Sequence, residues 1–426
     1  MIKPPINGKH NAYVERWANP DESGHPAIFM TIKVGFCATH PIQYQIPIFR
    51  ALAAEPEIDL KVYFCSDHSV KGEIDPQFGV PVAWDVPLLS GYDYKFLENK
   101  GTGYDCSSFF AFGNSDIYQE MAAEKFDTFI VPAYHKLIYW QAMRAAWRLE
   151  VPVFIRAEHY DGANFSRPIW KRAIRRSFLR WLYNRMAGVL SVGKYARRHY
   201  VDHGVPEEKI FAAPYCVDNA LFEQQRQQFE PLRWEIRKEL GIPDEATVML
   251  FAGKLVPVKN PLLLVKAVEL LKNRERLFLL VMGDGALREE LEKKLQVLMP
   301  QSFLITGFVN QSQVGRYYTS ADFLVLPSYQ GETWGLVVNE GMLFGLPAIV
   351  SDRVGCSEDL IEPGKTGFVF VNNYAEDLAR HIELFLEQPD LIKTMGREAQ
   401  QLIKNYSVEV TIQGILKAFH SVLRTR

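Results

Sequence analysis

Two carboxylates, Glu332 and Glu340, flank the short apolar run of GETWGLVVNEGMLFG, with seven residues between them. A charge inside an apolar helix that packs on a sheet is costly to bury unless something pairs with it. Glu340 is therefore expected to face a cleft and a polar ligand. Glu332 stands just before the helix, where a carboxylate also serves as an ordinary cap, held by free N–H groups and the helix dipole. Both readings hold for Glu332 alone. The pair points to a site, because the same helix start at Thr333, Trp334, Gly335 and Leu336 offers backbone donors to a phosphate. Two cations, Lys254 and Lys259, lie in the loop KLVPVKN. Loop lysines are ordinarily just solvated, but these would share a crevice with that helix start and could neutralise a diphosphate without metal.

Such residues need a scaffold, and the stretch 322–352 supplies one. It reads as a buried strand (DFLVLP), a glycine-containing loop, a short helix closed by Gly345, and a second buried strand (LPAIVS). Continuous apolar runs bounded by turn residues suit parallel strands covered on both faces, so this is a βαβ unit. Strands over 247–253, 303–309 and 367–371 and the run LFLLVM extend the series, with helices over 311–320, 375–387, 390–404 and 408–424. The turn Gly283, Asp284, Gly285 lacks the third glycine of the dinucleotide fingerprint, which argues against an NAD or FAD site.

An earlier α/β series runs through strands at 31–38, 58–66, 126–133, 151–158, 188–193 and 210–217. Loops at the C-terminal ends of parallel strands are where open α/β sheets bind ligands. His40, His135 and His159 stand at that edge. A neutral imidazole there could exchange a proton near pH 7, while the ordinary reading is a hydrogen-bonded loop histidine. Between Asp67 and Asn114 the pattern dissolves into a stretch rich in Gly, Pro and aromatics, including Trp84, Tyr92, Tyr94, Phe109 and Phe110. It suits either an acceptor surface of stacked rings or an irregular satellite core. The helix 168–186 carries six Lys and Arg among Trp170, Ile174, Phe178, Trp181 and Leu182. The commoner reading is a surface helix whose apolar stripe is core; the other is a helix lying on an anionic membrane surface.

Length and composition bound the rest. At 426 residues and 48% hydrophobic content the chain suits two or three domains of roughly 150 residues each. A formal charge of −2 calls for no nucleic acid. Five scattered cysteines (Cys37, Cys65, Cys106, Cys216, Cys356) read as reduced core residues of a cytoplasmic protein, with no zinc spacing. No apolar run approaches about 18 residues, and the N-terminus lacks a signal-peptide pattern, so a soluble or peripherally attached protein is expected. Residues 1–29 read as a disordered or extended segment.

The series GKLVPVKN, VMGDGALREELEKKL, ITGFVNQSQVGRYYTSADFLVLPS, GETWGLVVNEGMLFGLPAIVSD and GCSEDLIEPGKTGFVF resembles the nucleotide-binding half of retaining glycosyltransferases of family four. In the earlier half LSVGKYARRHYVDHGVPEEKIFAAPYCVD fits well and THPIQYQIPIFR fits a subset. The resemblance implies the GT-B fold, an α/β architecture of two Rossmann-like domains facing across a cleft. Its implied layout is an acceptor-side domain over 30–220, a linker over 221–240, a nucleotide-sugar domain over 241–405, and a helix over 406–426 returning to the first domain.

The implied activity is transfer of a sugar from a nucleotide-diphosphate sugar, with retention and without metal or other cofactor, in polysaccharide or glycolipid synthesis. Glu340 would bind the donor ribose, Glu332 the transferred sugar, and Lys254 and Lys259 the diphosphate. Thr333, Trp334, Gly335 and Leu336 would supply backbone donors, while Gly307, Phe308 and Val309 would meet the base. His159 matches the histidine near the reaction centre, and the catalytic set is His159, Glu332 and Lys259. His40, His135 and Trp84 are candidates on the acceptor side. The acceptor itself would be a carbohydrate, a lipid-linked sugar or a small molecule.

Four positions depart from the family pattern. Lys254 stands where Arg is usual and keeps the charge without the bidentate fork. Gly341 replaces Ala, and Tyr215 with Cys216 replaces Asn with Gly. Other readings of the same residues are a GT-B nucleotide-sugar epimerase or phosphorylase, a sugar-binding protein of periplasmic type, and an inactive scaffold.

Overall fold

The computed structural model describes residues 31–71, 84–102, 108–158 and 168–423. The stretch 1–29, His159 and Cys106 lie outside the described residues.

Thirteen strands form two parallel sheets among the described residues. The first contains β1 (Ile32–Ala38), β2 (Ile58–Phe64), β3 (Asp93–Phe96), β4 (Thr128–Val131), β5 (Val153–Ile155), β6 (Gly188–Ser191) and β7 (Ile210–Ala212). Its order is β3-β2-β1-β4-β5-β6-β7. The second contains β8 (Thr247–Ala252), β9 (Leu277–Met282), β10 (Phe303–Ile305), β11 (Phe323–Leu326), β12 (Ala348–Ser351) and β13 (Gly367–Phe370). Its order is β10-β9-β8-β11-β12-β13. The central strands β8, β9 and β11 are buried along their whole length. That is why their sequences are unbroken apolar runs rather than alternating ones.

In each sheet the order reverses once, between β1 and β4 in the first and between β8 and β11 in the second. A reversal splays the connecting helices to opposite faces and leaves a crevice beyond the strand ends. The loops at these two crevices carry His40 and His135 in one case, Lys254, Lys259 and Glu332 in the other.

The stretch after Asp67 is more regular than its sequence suggested. Asp93–Phe96 pairs in parallel with β2 as an edge strand. Its four residues alternate exposed and half-buried, too short a run to register as a period. Tyr92, Tyr94 and Phe96 lie edge-on or tilted around Phe64, with centroids 5.7 to 6.5 Å away, so these rings form a satellite core. Phe109 and Phe110 remain exposed.

The stretch 221–240, read as a linker, is helical almost throughout. Arg233 and Arg237 each bond a different oxygen of Asp322 at 2.6 Å, and the same carboxylate accepts the Val248 N–H at 2.7 Å. This connection is thereby fixed to the second sheet. The last helix, Val408–Leu423, buries Ile412, Ile415 and Phe419 in the core of the first sheet with Phe154 and Phe211. Its Thr411 hydroxyl donates to Pro214 O at 2.6 Å. A Cβ on Gly414 would lie 1.8 Å from Ala212 O, so only glycine allows that approach. No helix among the described residues is long and apolar enough to cross a membrane. Cys37, Cys65, Cys216 and Cys356 are buried and unbridged.

Candidate active site

The loop after β8 crosses under the loop after β11. Lys259 ends a 3-10 turn, Pro257–Lys259, closed by Asn260 at φ 52°. The Tyr329 N–H donates to Val258 O at 2.9 Å and ties the two loops together. Lys259 Nζ then reaches Glu332 Oε2 in a close ion pair. The Ser328 hydroxyl donates to the same oxygen at 3.0 Å. Both charged side chains are largely enclosed, at 23% and 13% exposed. An enclosed pair of this kind is held in one geometry, and removal of either member leaves an uncompensated charge.

Gly335 caps the helix Leu336–Leu343 in a left-handed conformation, φ 101°. A Cβ there would strike the Leu326 side chain at 2.8 Å. The carbonyls of Glu332 and Trp334 are taken by Gly355 N and Cys356 N, both at 2.9 Å. Among the described residues none accepts a hydrogen bond from the N–H of Thr333, Gly335 or Leu336. The helix start is therefore open to an anion. The Trp334 side chain does not share this role. It is buried, donates Nε1 to Asn339 at 2.8 Å and stacks on Tyr215 with centroids 5.7 Å apart.

One turn into the helix, Glu340 is half-buried. The Tyr318 hydroxyl donates to it at 2.5 Å. Burial raises its carboxyl to about 7, with the Tyr318 bond pulling the other way.

Close backbone approach brings in the next two loops. A Cβ on Gly283 would fall 1.9 Å from Gly253 O, so the Gly283, Asp284, Gly285 turn lies directly against the Lys254 loop. Leu255 N donates to Asp284 O at 2.8 Å, and Gly283 bridges to Gly307. The loops that carry Lys254, Asp284 and Gly307 thus lie side by side. Trp84, a candidate on the acceptor side, lies edge-on to Phe308, 5.9 Å between centroids. Its neighbour Asp85 accepts from Ser312 N at 3.2 Å and donates its own N–H to Asn310 at 3.2 Å.

The first sheet supplies the facing wall. A cavity of about 490 Å³ opens at the ends of β1, β4 and β5 and is lined by His40, His135, Tyr44, Arg156, Glu158 and Thr333 among others. His40 and His135 thus come together as expected. Burial and then His68, whose ring centre is 4.3 Å away, lower His40 to about 3. Burial and then Lys136 lower His135 as well. Both are neutral imidazoles at pH 7.

The connection between the walls was not evident from sequence. Glu158 accepts hydroxyl protons from Tyr215 and, across the cleft, from Thr333. Burial, then the Glu158 charge, keeps the Tyr215 phenol protonated well above its usual range. Asn339, adjacent to Glu340, donates Nδ2 to Tyr215 O at 3.2 Å. Arg156 lies 5.0 Å above the Tyr215 ring and donates to Ala213 O and Pro214 O. Only Asn339 carried a signal of its own, being a polar residue inside the same apolar helix that singled out Glu340.

Residues 233–402 match the family model described as glycosyl transferases group 1, and residues 71–216 match the glycosyl transferase 4-like domain. The second domain belongs to the group 1 glycosyl transferases. Among curated relatives, the chain is 31% identical over 222 residues to a D-inositol 3-phosphate glycosyltransferase of Arthrobacter sp. (strain FB24), covering 51% of each chain. It is 32% identical over 193 residues to the sulfoquinovosyl transferase SQD2 of Arabidopsis thaliana, covering 45% of this chain and 36% of that protein. The chain spans about half the length of the curated relatives it matches.

Among solved structures it superposes on a glycosyltransferase from Rickettsia africae ESF-5 with a TM-score of 0.70 at 15% identity, over 93% of this chain and 100% of that one. It also superposes on Anabaena Alr3699/HepE in complex with UDP-glucose, with a TM-score of 0.67 at 17% identity, over 92% and 100%. These likenesses establish the GT-B fold for this chain.

Proposed function

We propose that this chain moves a sugar from a nucleotide-diphosphate sugar to a carbohydrate, lipid-linked or small-molecule acceptor, with retention and without metal. The observation that carries the reading is the Lys259–Glu332 pair beside the open start of the helix Leu336–Leu343, facing the first-domain cavity through Thr333 and Glu158. Cations and free N–H groups at one point suit a diphosphate, and a carboxylate next to them suits sugar hydroxyls. Glu340 would hold the ribose and the loop at Phe308 the base. The UDP-glucose named for the Anabaena structure makes uridine the first base to test.

In this reading the bond from the anomeric carbon to the diphosphate oxygen breaks, and the acceptor oxygen bonds that carbon from the same face. The acceptor proton passes to the leaving diphosphate. Lys254, Lys259 and the helix start stabilise the charge left on the diphosphate, and Glu332 steadies the oxocarbenium-like sugar. The neutral His40 and His135 would orient the acceptor by hydrogen bonds. The activity belongs in the cytoplasm, free or bound at a membrane face, in polysaccharide or glycolipid synthesis.

The test is incubation with a panel of nucleotide-diphosphate sugars and candidate acceptors, followed by NMR of the anomeric proton in the product. A product with the donor's anomeric configuration, formed equally with EDTA present, is expected. An inverted product, or activity lost in EDTA and restored by manganese, overturns the corresponding part. Conversion of the donor sugar without transfer would favour the epimerase.

A further inference from the structure

The helix Ile169–Asn184 departs from the commoner expectation for it. Leu179, Leu182 and Tyr183 turn inward and are buried. Ile169, Trp170 and Ile174 are 83%, 61% and 63% exposed, and Phe178 and Trp181 are also exposed. At about 100° per residue, Trp170, Ile174 and Trp181 form one line opposite the buried side. Lys171 and Arg185 flank that line on one side and Arg180 on the other, and all three are exposed. The helix carries no Asp or Glu, although the whole chain has a formal charge of −2.

This face adjoins the first-domain cavity. Trp181 stacks with Phe178, whose ring lies 6.4 Å from that of Tyr134, a cavity residue. The exposed Phe109 and Phe110 follow Ser108, whose carbonyl accepts from Lys136, another cavity residue, at 2.9 Å.

We infer that this face docks the protein on an anionic lipid bilayer, with the acceptor cavity at the lipid surface. Tryptophans settle at the boundary between headgroups and acyl chains, isoleucines enter the acyl region, and the flanking cations meet anionic headgroups. A protein partner would need a matching acidic groove, whereas a bilayer needs only this sequence of apolar line and basic flanks. The face therefore commits to lipid.

The test is co-sedimentation of the full chain with phosphatidylcholine vesicles, with and without phosphatidylglycerol. The wild type is expected to bind the phosphatidylglycerol vesicles and to be released by high salt. Trp170→Ser/Ile174→Ser and, separately, Lys171→Gln/Arg180→Gln should each weaken binding about tenfold or more with melting temperature unchanged. Equal binding by wild type and both variants overturns the inference, as does no binding to either vesicle. Light scattering without vesicles gives a further check: a wild-type dimer that the apolar double variant converts to monomer would assign the face to self-association instead. None of these readouts depends on transfer activity, so the inference and the proposed reaction fail separately.

Discussion

Thr333 donates its hydroxyl to Glu158 across the cleft, so the loop that opens the donor-side helix is tied to the end of a strand in the opposite domain. Tyr215 holds the same carboxylate from the first-domain side. The contact fixes the helix start against the facing domain. Thr333→Val keeps the shape and removes the donor. Because a hydrogen bond to a charged group contributes about 1.5–3 kcal/mol, kcat/KM should fall about tenfold or more with little change in unfolding midpoint, since Thr333 is exposed. Unchanged steady-state kinetics would remove the contact from the account.

Lys259 and Glu332 neutralise each other inside the site. Lys259→Met should therefore weaken nucleotide-diphosphate binding by about a hundredfold and lower stability by on the order of 1–2 kcal/mol. Calorimetric titration and urea unfolding measure the two effects. Loss of stability with intact binding would make the pair structural only.

Glu340 sets a pH dependence. Its folded carboxyl is raised to about 7 from 4.5 by burial, so the folded state holds a proton that the unfolded chain has released. The stabilisation is complete below the unfolded value and is lost as pH rises through about 7. Glu340→Gln should flatten that decline and be the more stable protein above pH 7, by on the order of 2 kcal/mol. Donor binding should run the other way, tightening through the same range in the wild type, because ribose hydroxyls donate to the ionised carboxylate. Parallel pH profiles in wild type and variant would contradict the ribose role.

Gly341 sits in the same helix without needing glycine. A Cβ there would meet the Leu324 side chain at 3.4 Å, an ordinary contact distance. Gly341→Ala should stabilise by about 0.5–1 kcal/mol, read as a higher urea midpoint with unchanged donor affinity. Destabilisation would show that helix and sheet are packed more tightly there than this distance suggests.

The second domain was legible because its strands are long buried runs, and Glu340 because it breaks an otherwise apolar helix. Glu332 and Lys259 stood out only beside it, as a carboxylate at the same helix start and a loop cation expected in the same crevice. Contacts between the domains left no such mark. Nothing in the spacing of Glu158, Tyr215 and Thr333 joins them, since residues from two separate sheets meet only once both have folded. Trp84 was legible as an exposed-loop aromatic but not by its neighbour, and it stands by the Phe308 loop rather than in the cavity. The helix 168–186 was read by its periodicity, which cannot tell a core stripe from an exposed one. Burial of Leu179, Leu182 and Tyr183 instead of Trp170 and Ile174 is a choice of face that only packing makes.

The central claim is that Lys259, Glu332 and Glu340 form a nucleotide-diphosphate-sugar site. Its most direct measurement is thermal unfolding against a panel of nucleoside diphosphates and their sugars, since a ligand bound only by the folded protein raises the midpoint. The account predicts a rise selective for one base, abolished in Glu340→Ala and reduced in Lys259→Ala. No rise with any nucleotide, or an equal rise in Glu340→Ala, would contradict it.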